Sequence, residues 1–135
     1  RKTSLFFSVY EEVGHGASAG IPEDTEDLLV VDMGCVGEGL SCTEQQVSIC
    51  AKDSSGPYDY SMTGELIDLC QKHQLDYAVD VYPFYGSDAG AALRSGRDIR
   101  YALIGAGVYA SHGYERSHVK GVENTLRLME KYVEK

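Results

Sequence analysis

The sequence has few basic residues and no long apolar run. Its 12 Lys and Arg stand against 21 Asp and Glu, a formal net charge of -9 at pH 7. A surface of that sign repels nucleic-acid backbones and anionic membranes, and it attracts cationic ligands and metal ions. Charge or glycine interrupts every apolar stretch before the roughly 20 residues that a membrane span needs. We therefore expect no nucleic acid and no membrane among the partners.

The cysteines show no metal-binding spacing, and no cationic, apolar leader opens the chain. Cys35, Cys42, Cys50 and Cys70 include no Cys-x-x-Cys pair, and their spacing matches no zinc-ribbon or finger pattern. Without a secretory signal we expect a cytoplasmic protein whose thiols are reduced and mostly buried. A disulfide or a thiolate metal site is the alternative.

Apolar runs alternate with helical periodicities along the 135 residues, which is the length of one domain. Such alternation predicts an α/β fold with a mostly parallel mixed sheet flanked by helices. We expect one domain or part of one over residues 1–135, with no second domain. Strands are predicted at 5–10, 28–34, 46–51, 77–82 and 100–105, and helices at 60–73, 88–94 and along the C-terminal segment.

The C-terminal helix is predicted to carry one apolar face. Val119, Val122, Leu126, Met129 and Val133 recur at helical spacing, with charged residues on the opposite side. A face of this kind is typical of a helix that packs on a sheet.

Ionisable residues follow three of the predicted strands, at Glu11 with Glu12, at Asp32 and at His112. In open α/β sheets functional groups gather at the carboxyl ends of strands. Two adjacent carboxylates leave a strand on different sides, so one can ligate a metal while the other accepts a proton from water. The alternatives are a solvated loop start for the two glutamates and a structural hydrogen bond for Asp32.

Four segments together resemble the motifs of one peptidase family. Residues 7–14 read FSVYEEVG and are followed by Gly16 and Ala17, which is similar to the EEVGxxGA motif of the tetrahedral (TET-type) aminopeptidases. The segments VVDM at 30–33, GSDA at 86–89 and YASH at 109–112 resemble three later motifs of that family, in the same order and spacing. The family comprises dinuclear metallopeptidases that include the glutamyl and deblocking aminopeptidases. The resemblance implies a zinc-peptidase-like fold and a metal-dependent aminopeptidase that acts on short peptides.

The resemblance also implies roles for individual residues. Glu11 would be the general base that deprotonates the attacking water. Glu12 would ligate one metal together with His112, and Asp32 would ligate the other. The implied cofactors are two divalent ions, with Zn²⁺ or Co²⁺ preferred and Mn²⁺ as an alternative; carboxylate oxygens with one imidazole suit all three.

The GSDA segment and the assemblies of the family give two further expectations. Ser87 and Asp88 would line the substrate pocket near the free amino terminus of a peptide. The parent protein would be a homo-oligomer in the cytoplasm, with a peptide substrate as its other partner.

Two departures from the family pattern concern histidines. His15 replaces an apolar residue of the first motif and is either a solvated loop residue or a contact to substrate or metal. The turn after His112 is one residue shorter than in the family, which leaves His118 as a rival ligand. We favour His112 because it follows a strand, whereas His118 opens the last helix.

The largest departure is a missing half of the metal site. The family also needs a histidine and a bridging aspartate before the two glutamates, and residues 1–10 contain no His, Asp or Glu. The chain therefore resembles the C-terminal half of the catalytic domain. We expect it to bind metal poorly when alone, to hydrolyse peptides slowly or not at all, and to expose one edge or face of its sheet.

One alternative belongs to another class of protein. The chain could be a non-catalytic α/β interaction or self-association domain whose carboxylates are merely solvated. Metal dependence distinguishes the two readings. Side-chain preference is open as well, with Arg94, Arg97, Arg100 and Arg116 as candidates for a pocket that accepts an acidic residue.

Overall fold

A mixed five-stranded sheet forms the centre of the structure, a computed structural model in which residues 2–135 are described. The strands are β1 (Asp27–Val36), β2 (Val47–Asp53), β3 (Gly56–Pro57), β4 (Tyr77–Tyr82) and β5 (Arg100–Tyr109). The helices are α1 (Tyr60–His73), α2 (Asp88–Arg94) and α3 (Val119–Val133).

Two parallel strand pairs meet at an antiparallel junction. β1 runs parallel to β5, and β2 runs parallel to β4. β5 and β2 are antiparallel and join the two pairs, while the short β3 pairs with the end of β2. Among the described residues β1, β4 and the two-residue β3 each pair with one strand only and form the edges of the sheet. The predicted α/β class with a mixed sheet and flanking helices is confirmed.

The pairing of β1 with β5 fixes the position of Asp32. The two strands stay in register from Asp27 opposite Arg100 to Val36 opposite Tyr109, which places Asp32 opposite Gly105. A Cβ atom at Gly105 would lie 2.2 Å from the Asp32 carbonyl oxygen, so only glycine allows the strands to approach this closely. Asp32 thus lies in the middle of a continuous ladder and not at a strand end.

Helices cover both faces of the sheet. α1 and α3 pack on one face and α2 on the other. None of the helices in residues 2–135 is long and apolar enough to cross a membrane. The first core comprises Val47, Ile49, Met62, Leu66, Leu69, Cys70, Leu75, Ala102, Ile104, Leu128 and Tyr132. The second core comprises Val30, Cys35, Cys50, Tyr58, Tyr82, Ala89 and Leu103.

The predicted strand at residues 5–10 is wrong. This segment has no regular structure, and Leu5, Phe7 and Val9 expose 76%, 82% and 68% of their surface. An apolar run becomes a strand only where a neighbour accepts its backbone hydrogen bonds, and no strand in residues 2–135 pairs with it. The run leads instead into a 3-10 turn at Glu11–Val13.

The C-terminal helix forms as predicted but buries a different face. Val119, Val122, Leu126 and Val133 are exposed. Gly121 allows a close approach, since a Cβ there would lie 2.3 Å from the Glu44 carbonyl oxygen. The Asn124 side chain then donates to the Gln45 carbonyl, 3.1 Å away. The buried residues of α3 are Gly121, Asn124, Thr125, Leu128 and Tyr132.

The prediction on the cysteines is confirmed. All four are buried free thiols. Burial raises the pKa of Cys42 to about 11 and those of Cys50 and Cys70 to about 12. These groups are therefore protonated thiols at neutral pH and are poor nucleophiles and metal ligands.

Candidate active site

A cavity of about 190 Å³ brings the predicted catalytic and metal-binding residues together. Glu11, Glu12, Asp32 and His112 all line it, although they come from three separate parts of the chain. The cavity lies on the α2 side of the sheet, where Cys35, Tyr82 and Leu103 of the second core form part of its wall. The remaining lining residues are Met33, Asp53, Tyr85, Gly86, Ser111 and Glu115.

A larger cavity of about 360 Å³ lies elsewhere, beside Arg100 and Asp98. None of the predicted catalytic, metal-binding or GSDA-segment residues lines it. Its cation, Arg100, is held by Asp27, whose carboxylate accepts from Nε at 2.8 Å. We place the candidate site in the smaller cavity because the titratable groups converge there.

Glu11 and Glu12 lie in a turn and not at the end of a strand, which corrects the expected geometry. Tyr10 enters the turn with φ 66° and Gly14 leaves it with φ 77°. The Gly14 N–H donates to the Glu11 carbonyl at 2.8 Å, and the His15 N–H donates to the Tyr10 carbonyl at 3.0 Å. The two adjacent glutamates are therefore presented by a tight, internally bonded turn.

Asp32 reaches the same cavity from β1. Its Oδ1 accepts a hydrogen bond from the Met33 N–H at 2.7 Å, so one carboxylate oxygen has a local partner. The residue keeps contact with solvent. Asp32 thus makes a structural hydrogen bond and still has lone pairs for a ligand.

His112 is presented by a strained turn after β5. Ala110 has φ 58° and His112 itself has φ 61°, a left-handed conformation that costs non-glycine residues free energy. The His112 N–H donates to Oε1 of Glu115 at 3.1 Å, and the imidazole lies 5.9 Å from the ring centroid of Tyr85. Strain of this kind is typical of residues that a site holds in place.

The rival histidines lie elsewhere. His118 is the N-cap of α3, and its Nδ1 accepts from the Lys120 N–H at 3.1 Å. His15 is exposed and does not line the cavity. Of the three histidines considered as ligands, only His112 lines the cavity.

The cavity concentrates negative charge. Burial raises the pKa of Glu11, and the carboxylates of Asp32, Asp88 and Glu12 raise it further, while His112 lowers it. Burial likewise raises the pKa of Asp32, with smaller contributions from Glu12 and Asp88, against the Met33 hydrogen bond and His112. None of the ion pairs among residues 2–135 involves Glu11, Glu12 or Asp32. Such uncompensated charge favours a bound cation.

The donor set fits a divalent metal in chemistry but is not a finished site. Carboxylate oxygens and an imidazole nitrogen are the ligands that Zn²⁺, Co²⁺ and Mn²⁺ accept. In residues 2–135, however, no three His, Cys, Asp or Glu side chains lie close enough together to hold an ion. The residues therefore match part of a metal site.

Ser87 and Asp88 lie at the start of α2, next to the cavity wall. Ser87 is buried and is the N-cap of the helix, with its Oγ accepting from the Ala89 N–H at 3.2 Å. Asp88 accepts from the Ala17 N–H through Oδ1 at 3.1 Å. Neither side chain is among those lining the cavity, and their predicted contact with substrate stays a prediction.

Among the lining residues that the sequence did not predict, Asp53, Tyr85 and Glu115 have contacts that matter to the site. Asp53 ends β2 and is 2% exposed, and Tyr58 donates to its Oδ2 at 2.6 Å. A carboxylate at a strand end is the signal that could have identified Asp53. Tyr85 and Glu115 contact His112, and no local sequence pattern predicts these contacts.

The arginines considered for an acidic substrate are mostly engaged. Arg100 pairs with Asp27, and Arg116 pairs with Glu44 at 2.8 Å. Arg97 donates to the Pro22 carbonyl. Arg94 donates from Nη2 to the Gly14 carbonyl, 3.5 Å away, and so contacts the segment that follows the two glutamates.

The fold is that of the tetrahedral aminopeptidases. The aminopeptidase APDkam598 of the archaeon Desulfurococcus kamchatkensis superposes with a TM-score of 0.81 at 18% identity, over 93% of this chain and 39% of that chain. The TET1 peptidase of Pyrococcus horikoshii, which can assemble into a tetrahedron or a large octahedral shell, gives 0.76 at 20% identity, over 92% of this chain and 38% of that chain.

The sequence itself places the chain in a family. Residues 1–128 match the model of the M42 glutamyl aminopeptidases, and the chain belongs to that family. The Bacillus subtilis protein YhfE, described as a candidate aminopeptidase, is 47% identical over 132 residues. The match covers 98% of this chain, which spans 38% of the length of that relative.

Proposed function

We propose that the chain is the C-terminal part of the catalytic domain of a metal-dependent aminopeptidase, which removes amino-terminal residues from short peptides. The observation that carries the proposal is the convergence of Glu11, Glu12, Asp32 and His112 on one cavity in a member of this family. Three separate segments supply these residues, so the convergence is a property of the fold.

Three of the residues are assigned to metal binding. Glu12 and His112 would hold one divalent ion and Asp32 a second, with Zn²⁺ or Co²⁺ preferred and Mn²⁺ as an alternative. When bound, such ions polarise the scissile carbonyl and acidify water. The concentration of negative charge described above supports this assignment, because cations would relieve it.

Glu11 is assigned as the general base. Burial and the neighbouring carboxylates raise its pKa, which brings the group closer to the working pH of a proton acceptor. Its carboxylate would take a proton from the attacking water and pass it to the leaving amine. The adjacent position of Glu12 allows one glutamate to hold metal while the other moves the proton.

The surroundings of the site are assigned with it. Ser87 and Asp88 would lie near the ammonium group of the peptide, which the negative charge of the region attracts. The assemblies of Pyrococcus horikoshii TET1 support a homo-oligomer for the whole protein. We place that protein in the cytoplasm, where it would meet short peptides.

An interaction or self-association domain is the second candidate. The exposed apolar residues Leu5, Phe7 and Val9 favour it, since contiguous exposed apolar surface marks association sites. The same surface would be covered by the rest of a larger catalytic domain. Metal dependence of activity in the longer protein distinguishes the two.

The first experiment measures metal per chain. The 135-residue chain is dialysed against zinc or cobalt and analysed for bound metal. We expect one weakly held ion or none, because the described ligands do not complete a site. Two tightly held ions would contradict the proposal that the chain carries only part of the metal centre.

The second experiment tests the base in the longer protein that contains this chain. Glu11→Gln should lower kcat by about 100-fold or more while the metal content is retained, as expected for a lost general base. Glu38→Gln, at an exposed loop position, is the matched control and should leave kcat unchanged. Unaltered turnover in Glu11→Gln would refute the role of Glu11.

A further inference from the structure

The segment that carries Glu11 and Glu12 is held from outside by α2. Asp88, the first residue of that helix, accepts a hydrogen bond through Oδ1 from the Ala17 N–H at 3.1 Å. The two residues are 71 positions apart in the chain, and Ala17 is 2% exposed. The bond is therefore a long-range, partly buried contact between a carboxylate and the backbone of the segment.

Gly16 gives a second observation on the same contact. A Cβ atom on Gly16 would lie 2.1 Å from Oδ1 of Asp88, closer than any two such atoms can approach. Gly16 does not have a positive φ, so its backbone conformation suits any residue. The space for a side chain at position 16 is thus occupied by the Asp88 carboxylate.

A chain of backbone bonds connects this contact to the glutamates. Gly16–Ser18 forms a 3-10 turn, and its Ser18 N–H donates to the His15 carbonyl at 3.2 Å. The His15 N–H in turn donates to the carbonyl of Tyr10, the residue before Glu11, at 3.0 Å. No strand in residues 2–135 pairs with this segment, so these local bonds and the contacts of α2 hold it.

Asp88 is itself held at its base. The buried hydroxyl groups of Ser87 and Tyr58 lie 2.7 Å apart, and Tyr58 also donates to the buried Asp53 at the end of β2. The start of α2 is therefore tied to the sheet. A carboxylate at a fixed helix start can determine where the segment that it contacts lies.

We propose that Asp88 is a positioning residue, which holds the turn bearing Glu11 and Glu12 over the cavity by accepting the Ala17 N–H. This inference rests on the proposed function for its meaning in catalysis, but the contact can be tested without it. Hydrogen bonds that involve a charged partner are among the stronger ones in proteins, so one such bond can hold a short segment.

The test measures amide hydrogen exchange by NMR in the 135-residue chain. Asp88→Ala should raise the exchange rate of the Ala17 amide roughly tenfold or more, the order expected when a charge-assisted hydrogen bond is removed. Asp88→Asn keeps an acceptor oxygen and should restore most of the protection. Asp68→Asn, an exposed carboxylate on α1, is the matched control and should leave Ala17 unchanged. Equal protection in Asp88→Ala would overturn the proposal.

A double-mutant cycle with Gly16 locates the effect at this contact. Gly16→Ala should raise the exchange of Ala17 in the wild-type background, because its methyl group displaces the carboxylate. The same change should add little in the Asp88→Ala background, where the clash is gone. Equal effects in both backgrounds would contradict the proposal. If Asp88→Ala does not fold, Gly16→Ala alone decides, and unchanged protection of Ala17 overturns the inference.

Cobalt binding separates this inference from the proposed function. If the chain binds Co²⁺, the visible absorbance of the bound ion should weaken in Asp88→Ala and return in Asp88→Asn. A general loss of stability would not give this rescue. Failure of Asp88→Asn to restore the signal would count against positioning. If the wild-type chain binds no Co²⁺, the exchange data alone decide on Asp88.

Discussion

The two sides of the candidate site are held in different ways. Asp32 lies within a ten-residue strand whose register with β5 is continuous, so the sheet fixes its backbone. Glu11 and Glu12 lie in a 3-10 turn that no strand in residues 2–135 accompanies, and side chains of α2 hold the segment that follows, Asp88 at Ala17 and Arg94 at Gly14. Strand pairing therefore places one side of the site, whereas a few local hydrogen bonds and contacts from α2 place the other.

This difference separates stability from positioning. A substitution that disturbs the pairing of β1 with β5 should destabilise the whole domain, because these backbone bonds belong to the central sheet. A substitution that removes the contacts of the segment bearing Glu11 and Glu12 should release that segment while the domain stays folded, because local openings cost less free energy than global unfolding. Substitutions on the two sides therefore have different readouts.

The largest effect is expected at Gly105. Gly105→Ala would place a methyl group 2.2 Å from the Asp32 carbonyl oxygen and push β1 from β5. We expect the free energy of unfolding to fall by about 3 kcal/mol, as for overpacking against an unyielding backbone. Urea unfolding followed by circular dichroism measures it.

Gly64→Ala is the control for this substitution. Gly64 lies within α1 and nothing lies within 4 Å of its missing Cβ, so the change should stabilise by up to about 1 kcal/mol. Similar unfolding energies for the two variants would show that the approach of β1 and β5 is not tight.

A smaller effect is expected at Tyr58, which connects the start of α2 to the sheet. Tyr58→Phe removes the hydroxyl that donates to Asp53 and contacts Ser87, and it leaves the buried Asp53 carboxylate with one partner fewer. We expect a loss of about 1–2 kcal/mol in urea unfolding. Tyr60→Phe, at a residue that is 92% exposed, should change nothing. A Tyr58→Phe protein as stable as the wild type would mean that this link carries no free energy.

The smallest effect is expected at Asp32 itself. Because burial and neighbouring carboxylates raise its pKa, ionised Asp32 opposes folding at neutral pH. Asp32→Asn should stabilise the metal-free chain by about 0.5 kcal/mol, a small value because solvent screens this carboxylate. The gain should vanish as the pH falls through the raised pKa to below about 4, where the wild-type carboxylate is protonated too. A gain that persists at low pH would assign the effect to packing.

Much of the fold could be predicted because its signals are local. The spacing of Met62, Leu66 and Cys70 predicts α1, and Pro83 marks the end of β4. The strand expected at 5–10 was wrong because pairing is not a local property. An apolar run cannot report whether a neighbouring strand is present, and none in residues 2–135 pairs with it.

The face of α3 could not be predicted because small residues make the contact. The apolar pattern marks Val122 and Leu126, yet the helix approaches the chain at Glu44 through Gly121. Close backbone approach favours a residue without a side chain, which a pattern of hydrophobicity counts as neutral. The burial of Asn124 follows from that approach, since its amide then reaches a backbone carbonyl.

The site was predictable as a set of residues but not as a geometry. Motif resemblance selected Glu11, Glu12, Asp32 and His112, and the structure brings all four to one cavity. The motif resemblance did not indicate the turn that carries the glutamates. It also could not show the contact of Tyr85 with His112, because that contact depends on how two loops meet.

The left-handed residues around the cavity determine which sequences this site tolerates. Tyr10, Ala110 and His112 all have positive φ, a conformation that glycine and asparagine adopt readily and β-branched residues do not. In a library that varies each position fully and selects only for folding, glycine should therefore be enriched at all three. If His112 is the metal ligand proposed above, selection for activity in the longer protein should keep glycine at 10 and 110 and remove it at 112. The difference between the two libraries would distinguish residues retained for their backbone from one retained for its chemistry.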